Sequence, residues 1–118
     1  MVKLEMFRNE GRYDEFKDGR TIFKEGDQGG PMYVVIEGSV ALSVRGRELE
    51  RLGPGGIFGE MALLDSEPRS ATAVAAADCR LAPVDHKRFT YMVQQTPHFA
   101  LQIMRVMADR LRRMDQRL

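Results

Sequence analysis

Tryptophan is absent from the 118 residues, cysteine occurs once and histidine twice. The lone Cys79 cannot form an internal disulfide, which suits a reducing, cytoplasmic setting. Nor can it supply the several thiolates of an iron–sulfur cluster, and no residue pattern points to haem. His86 and His98 offer no His-x-His pair, so a catalytic metal site is not expected. Two histidines also leave little scope for a Ser–His–Asp or Cys–His arrangement, and no catalytic residues are assigned. No apolar run approaches the roughly twenty residues of a membrane span, and Met1-Val2-Lys3 is not followed by a signal-peptide core. An excess of one charge is missing as well: the net charge of +1 leaves no global footprint for nucleic acid.

What is present is a globular composition, 43% hydrophobic and 30% charged. The length predicts a single domain over residues 1–118, with a core large enough to need no staples. Residues 1–11 are short and mixed, with Leu4, Met6 and Phe7 suited to one helical turn. Residues 12–85 read as short apolar runs cut by turn residues. Strands are predicted at Tyr13–Phe16, Thr21–Phe23, Met32–Ile36, Val40–Val44, Glu48–Leu52, Ala71–Ala76 and Arg80–Val84. Glu37-Gly38 is a hairpin signal, and Gly26 and Gly38 sit where positive φ is expected. About eight such strands predict an antiparallel β-roll or jelly roll, an α+β chain that is mainly β.

Beyond Val84 the period changes. Lys87–Gln95 is a predicted short helix with Phe89, Met92 and Val93 on one face and Asp85 as its N-cap. Thr96-Pro97 opens a longer helix. Leu101, Met104, Ala108, Leu111, Asp115 and Leu118 recur at alternating spacings of three and four, the seam of a coiled coil. Ala100, Ile103, Val106, Met107 and Met114 widen that stripe. Half of it can pack on the strands while the other half meets a second copy in a two-fold dimer. Arg105, Arg110, Arg112, Arg113 and Arg117 read as a solvated face rather than a nucleic-acid contact.

The most specific stretch is Phe58-Gly59-Glu60-Met61-Ala62-Leu63-Leu64-Asp65-Ser66-Glu67-Pro68-Arg69-Ser70-Ala71-Thr72. A helical turn opening after Gly59 exposes backbone N–H groups that attract an anion. Arg69 offers a planar fork for two oxygens of a phosphate. Ionised Glu60 only accepts hydrogen bonds, so its partner is a hydroxyl or another donor. Phosphate and hydroxyl together describe a phosphorylated sugar. The plainer reading makes Glu60 and Arg69 an ion pair across a loop, and Pro68 a turn former.

In order and spacing these residues closely resemble the phosphate-binding cassette of cyclic-nucleotide-binding domains. Ile22–Asp27 and Met32–Val40 resemble that family's early strands and turns. The resemblance implies an antiparallel double-stranded β-roll, jelly-roll or cupin-like, with a short N-terminal helical turn and two C-terminal helices, the cassette at 58–72 and hinge and lid helices at 86–118. It assigns the cyclic phosphate to Arg69 and the ribose 2′-hydroxyl to Glu60. The backbone amides of Gly59, Ala62 and Ala71 and the Ser70 hydroxyl complete the cradle, so Phe58, Gly59, Glu60, Met61, Ala62, Arg69, Ser70 and Ala71 are the candidate ligand-binding residues. No cofactor is implied. Cyclic AMP is the expected ligand and cyclic GMP the alternative, because family members with threonine after the cassette arginine often accept cyclic GMP, those with alanine suit cyclic AMP, and Ser70 is neither.

The implied mechanism is a population shift in which the last helix closes over the base, with Phe89 meeting Leu63 as the link. The chain ends where a transcription factor of this superfamily begins its helix-turn-helix, so direct DNA binding by these residues is not expected, and the effector is unknown. The competing reading is a ligand-independent interaction or dimerisation module. A third is the sensor half of a larger regulator or channel.

Overall fold

The computed structural model describes residues 12–117; the helical turn expected around Leu4, Met6 and Phe7, and the seam position Leu118, lie outside them. Among the described residues, eight strands are followed by two helices, with a third, short helix between the sixth and seventh strands. The strands are β1 (Asp14–Phe16), β2 (Thr21–Phe23), β3 (Met32–Glu37), β4 (Val40–Val44), β5 (Arg47–Leu52), β6 (Ile57–Phe58), β7 (Thr72–Ala75) and β8 (Cys79–Val84). The helices are α1 (Glu60–Asp65), α2 (His86–Gln95) and α3 (His98–Arg117). Two four-stranded antiparallel sheets, ordered β1-β8-β3-β6 and β2-β7-β4-β5, make the expected β-roll.

The Met32–Ile36 run is continuous because β3 is buried on both faces. Period-two alternation sends Met32, Val34 and Ile36 to one core and Val35 to the other. Strand β8 divides in the same way, with Ala82 and Val84 on the first side and Cys79 and Leu81 on the second. The first core is roofed by Leu63 of α1, Met92 of α2 and Phe99 and Ile103 of α3. The second fills the space between the sheets with Val40, Leu42, Leu52, Phe58, Ala73 and Ala75.

Both expected positive-φ glycines occur, Gly26 at 90° and Gly38 at 88°. Gly38 is doubly required, since a Cβ there would stand 2.7 Å from the Cβ of Cys79 and closer still to the Asp78 carbonyl. Strand β6 was not apparent in the sequence: two residues carry no period, and Ile57 and Phe58 are a strand only through pairing with Val34 and Tyr33. Asp85 caps α2 as expected, its Oδ1 accepting from the Arg88 N–H at 2.8 Å. Phe89 and Leu63 belong to one hydrophobic cluster, and Phe89 packs on Phe99 with ring centroids 5.6 Å apart.

Helix α3 divides its broad apolar stripe between two environments. Phe99 and Ile103 are buried and Val106 and Met107 half-buried against the first core. Leu101, Met104, Ala108 and Leu111 are exposed. No described helix is long and apolar enough to cross a membrane.

Candidate functional site

A cavity of about 320 Å³ opens between the second sheet, the cassette and α3. That lies at the small end of the roughly 300–1,000 Å³ usual for small-molecule sites. Of the candidate residues, Gly59, Glu60, Met61, Ala62, Arg69, Ser70 and Ala71 line it. Phe58 does not. Its side chain is fully buried in the second core, stacked on Tyr33 at 5.3 Å and tilted against Phe23 at 5.8 Å. As the last residue of β6 it turns away from the wall that its neighbour Gly59 forms, so its part is to support the cassette from beneath.

The cassette folds as its residues demand. Gly59 caps α1 in the left-handed region at φ 80°, a conformation costly for any residue with a Cβ. A Cβ there would also lie 2.7 Å from Nη1 of Arg69, so the guanidinium occupies the space that glycine leaves open. The main chain of Arg69 is tied to the β2–β3 loop, its N–H donating to the Asp27 carbonyl and its carbonyl accepting from Gly26 N–H, both at 2.8 Å. The side chain is thereby directed inward, 5% exposed. Nη2 donates to the Pro31 carbonyl at 2.8 Å and Nη1 to the Gly59 carbonyl at 3.3 Å. The guanidinium carbon lies 4.0 Å from the centroid of the Phe23 ring, a cation–π distance.

Arg69 makes no ion pair with Glu60, nor with any other carboxylate among the described residues. The plainer reading of the two as a structural pair is therefore wrong. Its Nε is buried with no hydrogen-bond partner, the single such side-chain atom among the described residues. Burial lowers the Arg69 pKa from its usual value, but the group remains a cation at any physiological pH. A buried cation with an orphaned donor is costly to keep, and it calls for an anion.

Glu60 is 3% exposed and finds its partner fifty residues away. Arg110 of α3 donates through Nη1 to Glu60 Oε1, through Nη2 to the Ile57 carbonyl, and through Nε to Glu50 Oε1 at 3.0 Å. Arg113 completes the cluster with Nη1 3.2 Å from Glu50 Oε2. Arg105 and Arg112 are exposed, as a solvated face requires. Arg110 departs from that expectation, being only 18% exposed at its side chain.

Sequence reasoning missed Arg110, Glu50 and Arg113, together with the apolar wall of Phe23, Leu42, Val44 and Met107. One signal was available. Arg110 follows Ile103 and Met107 at spacings of seven and three, which places it on the helix's inward face. The ionised groups lining the cavity are three guanidinium groups and two carboxylates, leaving one positive charge. Apolar walls, a spare positive charge and the buried carboxylate of Glu60 suit a small anion that carries hydroxyl or amine donors.

The chain belongs to the cyclic nucleotide-binding domain family, whose profile matches residues 13–96. It is 34% identical over 109 residues to the CRP-like cAMP-activated global transcriptional regulator of Mycobacterium tuberculosis, an alignment covering 88% of this chain and 49% of that protein. The crystal structure of the Thermus thermophilus catabolite activator protein superposes with a TM-score of 0.80 at 36% identity, covering 90% of this chain and 52% of that one. A structure described under a cyclic-GMP-dependent signalling pathway that regulates bacterial phytopathogenesis gives a TM-score of 0.78 at 33% identity, covering 94% of each chain. The chain spans at most about half the length of the curated relatives it matches.

Proposed function

We propose that this chain is a regulatory sensor that binds cyclic AMP, without catalysis, and signals through its C-terminal helices. The observation that carries the reading is Arg69, a buried guanidinium with an unpartnered Nε in a cavity whose lining has one positive charge to spare. A cyclic phosphodiester carries one negative charge shared by two exocyclic oxygens, one equatorial and one axial, a match for the free side of a guanidinium fork. Glu60 supplies the acceptor for a ribose hydroxyl, and Phe23, Leu42, Val44 and Met107 supply apolar surface for a base. The Ser70 hydroxyl and the likeness to a structure from a cyclic-GMP-dependent pathway favour testing cyclic GMP beside it.

Helix α3 contributes Met107, Arg110, Leu111 and Arg113 to the cavity lining, so a ligand that touches them biases the position of the helix. The exposed stripe of Leu101, Met104, Ala108 and Leu111 is assigned to a second copy of the chain, inside the cell, with the effector a protein or domain reached through these helices.

The deciding experiment is calorimetric titration with cyclic AMP and cyclic GMP, after denaturing extraction to detect co-purified nucleotide. One-to-one binding by the wild type, lost in Arg69→Met, supports the reading. Equal binding by the two proteins removes Arg69 from the site, and no binding by the empty, folded wild type overturns the assignment.

A further inference from the structure

Two carboxylates line the cavity, and a ribose hydroxyl accounts for only one of them, Glu60. The other, Glu50, reaches the cavity through an irregularity in β5. Leu42 of β4 pairs with Glu50 and the next residue, Ser43, pairs with Glu48, so Leu49 is the extra residue of a β-bulge. Neighbours on a regular strand face opposite sides. Here Leu49 and Glu50 both line the cavity, while Glu48 is exposed and accepts from Arg51 Nε at 3.1 Å.

A carboxylate placed beside Leu42, Val44 and Leu49 is costly unless it is paired. Its side chain is 16% exposed, and two guanidinium groups of α3 meet it. Arg110 Nε donates to Oε1 at 3.0 Å, and Arg113 Nη1 lies 3.2 Å from Oε2. A carboxylate oxygen can accept two hydrogen bonds, so neither contact exhausts the oxygen it uses. With the phosphate at Arg69 and the ribose hydroxyl at Glu60, the Leu42, Val44 and Leu49 wall is left to the base, and Glu50 is the acceptor beside it.

We propose that Glu50 is a specificity-determining residue: it accepts a hydrogen bond from the 6-amino group of a bound adenine and discriminates against a purine with a carbonyl at C6. An amino group gains a charge-assisted bond there, whereas a carbonyl oxygen sets its lone pairs against a group that only accepts. Selectivity then combines attraction to one base with repulsion of the other. The apolar wall cannot supply it, because adenine and hypoxanthine offer such a surface nearly the same flat shape.

The inference rests on the binding reading above, and one set of calorimetric titrations separates the two. Wild type, Glu50→Leu and Glu50→Gln are titrated with cyclic AMP, with cyclic IMP, which has a carbonyl at C6, and with purine riboside 3′,5′-cyclic phosphate, which has hydrogen there. The wild type should bind cyclic AMP about tenfold or more tightly than either analogue. In Glu50→Leu that preference should vanish. Glu50→Gln keeps the shape of the side chain and serves where the leucine variant does not fold. Its amide donates as well as accepts, so its preference over cyclic IMP should fall furthest.

Equal binding of cyclic AMP and cyclic IMP by the wild type overturns the proposal. So does a preference that survives both substitutions, even with all three ligands weakened, since Glu50 is then only an anchor for Arg110 and Arg113. A folded wild type that binds none of the three nucleotides overturns the binding reading, and this inference with it.

Discussion

The guanidinium carbon of Arg69 stands over the ring of Phe23, 4.0 Å from its centroid, and the ring forms the floor on which that cation rests. Phe23 also touches Phe58 and Tyr33, so the floor is itself braced by the second core. Replacing Phe23 by leucine keeps the wall apolar but removes the π-face. The contact is worth roughly 0.5–2 kcal/mol, a range set by how far the cation is desolvated. Calorimetric titration of Phe23→Leu should therefore show nucleotide affinity reduced between about twofold and thirtyfold. Unchanged affinity would mean that the carbonyls of Pro31 and Gly59 suffice to place the arginine.

Arg69→Met should abolish measurable nucleotide binding, a loss of about a thousandfold or more from the charge-assisted bonds of a two-pronged contact. Stability of the empty protein should change little, because the variant loses two hydrogen bonds to carbonyls but also a buried, unpaired charge. Melting curves with and without nucleotide check both halves. The wild type shifts upward with ligand, and the variant should not.

Two glycines should separate stability from binding. Gly38→Ala drives a Cβ against backbone at Asp78 and Cys79, far from the cavity lining, and should lower stability by about 3 kcal/mol or more while leaving the affinity of the folded fraction intact. Gly59→Ala places its Cβ against the movable end of Arg69 in a left-handed backbone, so about 1–2 kcal/mol of strain should accompany a clear loss of affinity. Urea unfolding and calorimetry on the same two variants read these outcomes.

Cys79 and Tyr33 set the alkaline side of the stability curve. Burial pushes both the thiol and the phenol above their ordinary pKa values. The unfolded chain then releases these protons at lower pH than the folded one, so the folded state binds more protons in that window. Stability therefore falls as pH rises past about 8.5, the usual thiol value, and further past about 10. Urea midpoints measured between pH 7 and 10.5 should decline, and Cys79→Ala should flatten the first part of that decline.

The exposed side of α3 gives a test independent of ligand. Leu101 is 48% and Met104 61% exposed, and neither lines the cavity. The pair Leu101→Glu and Met104→Glu should convert a dimeric wild type to monomer in sedimentation velocity while nucleotide titration stays unchanged. A monomeric wild type would leave that stripe without the second copy assigned to it.

Much of this was legible from residues alone because the informative signals are local. Alternation in Val40–Val44, the Glu37-Gly38 turn and the Asp85 cap each involve neighbours a few positions apart, and each stands where expected. The ordered residues from Gly59 to Ala71 located one side of the cavity. The other side was hidden because it is made by contacts across fifty and sixty positions, Arg110 with Glu60 and Glu50. No spacing rule links a basic residue on a late helix to a carboxylate on an early strand. Phe58 stays outside the cavity lining for a related reason: the two residues of β6 face opposite sides, Ile57 toward the first core and Phe58 toward the second.

Strand β3 lends its two faces to two separate cores, so neither can loosen without disturbing a strand the other also holds. Chain melting should accordingly be a single transition rather than two. The amides of Val34 and Val35 should be the last to exchange with heavy water, because opening either one disturbs both cores at once.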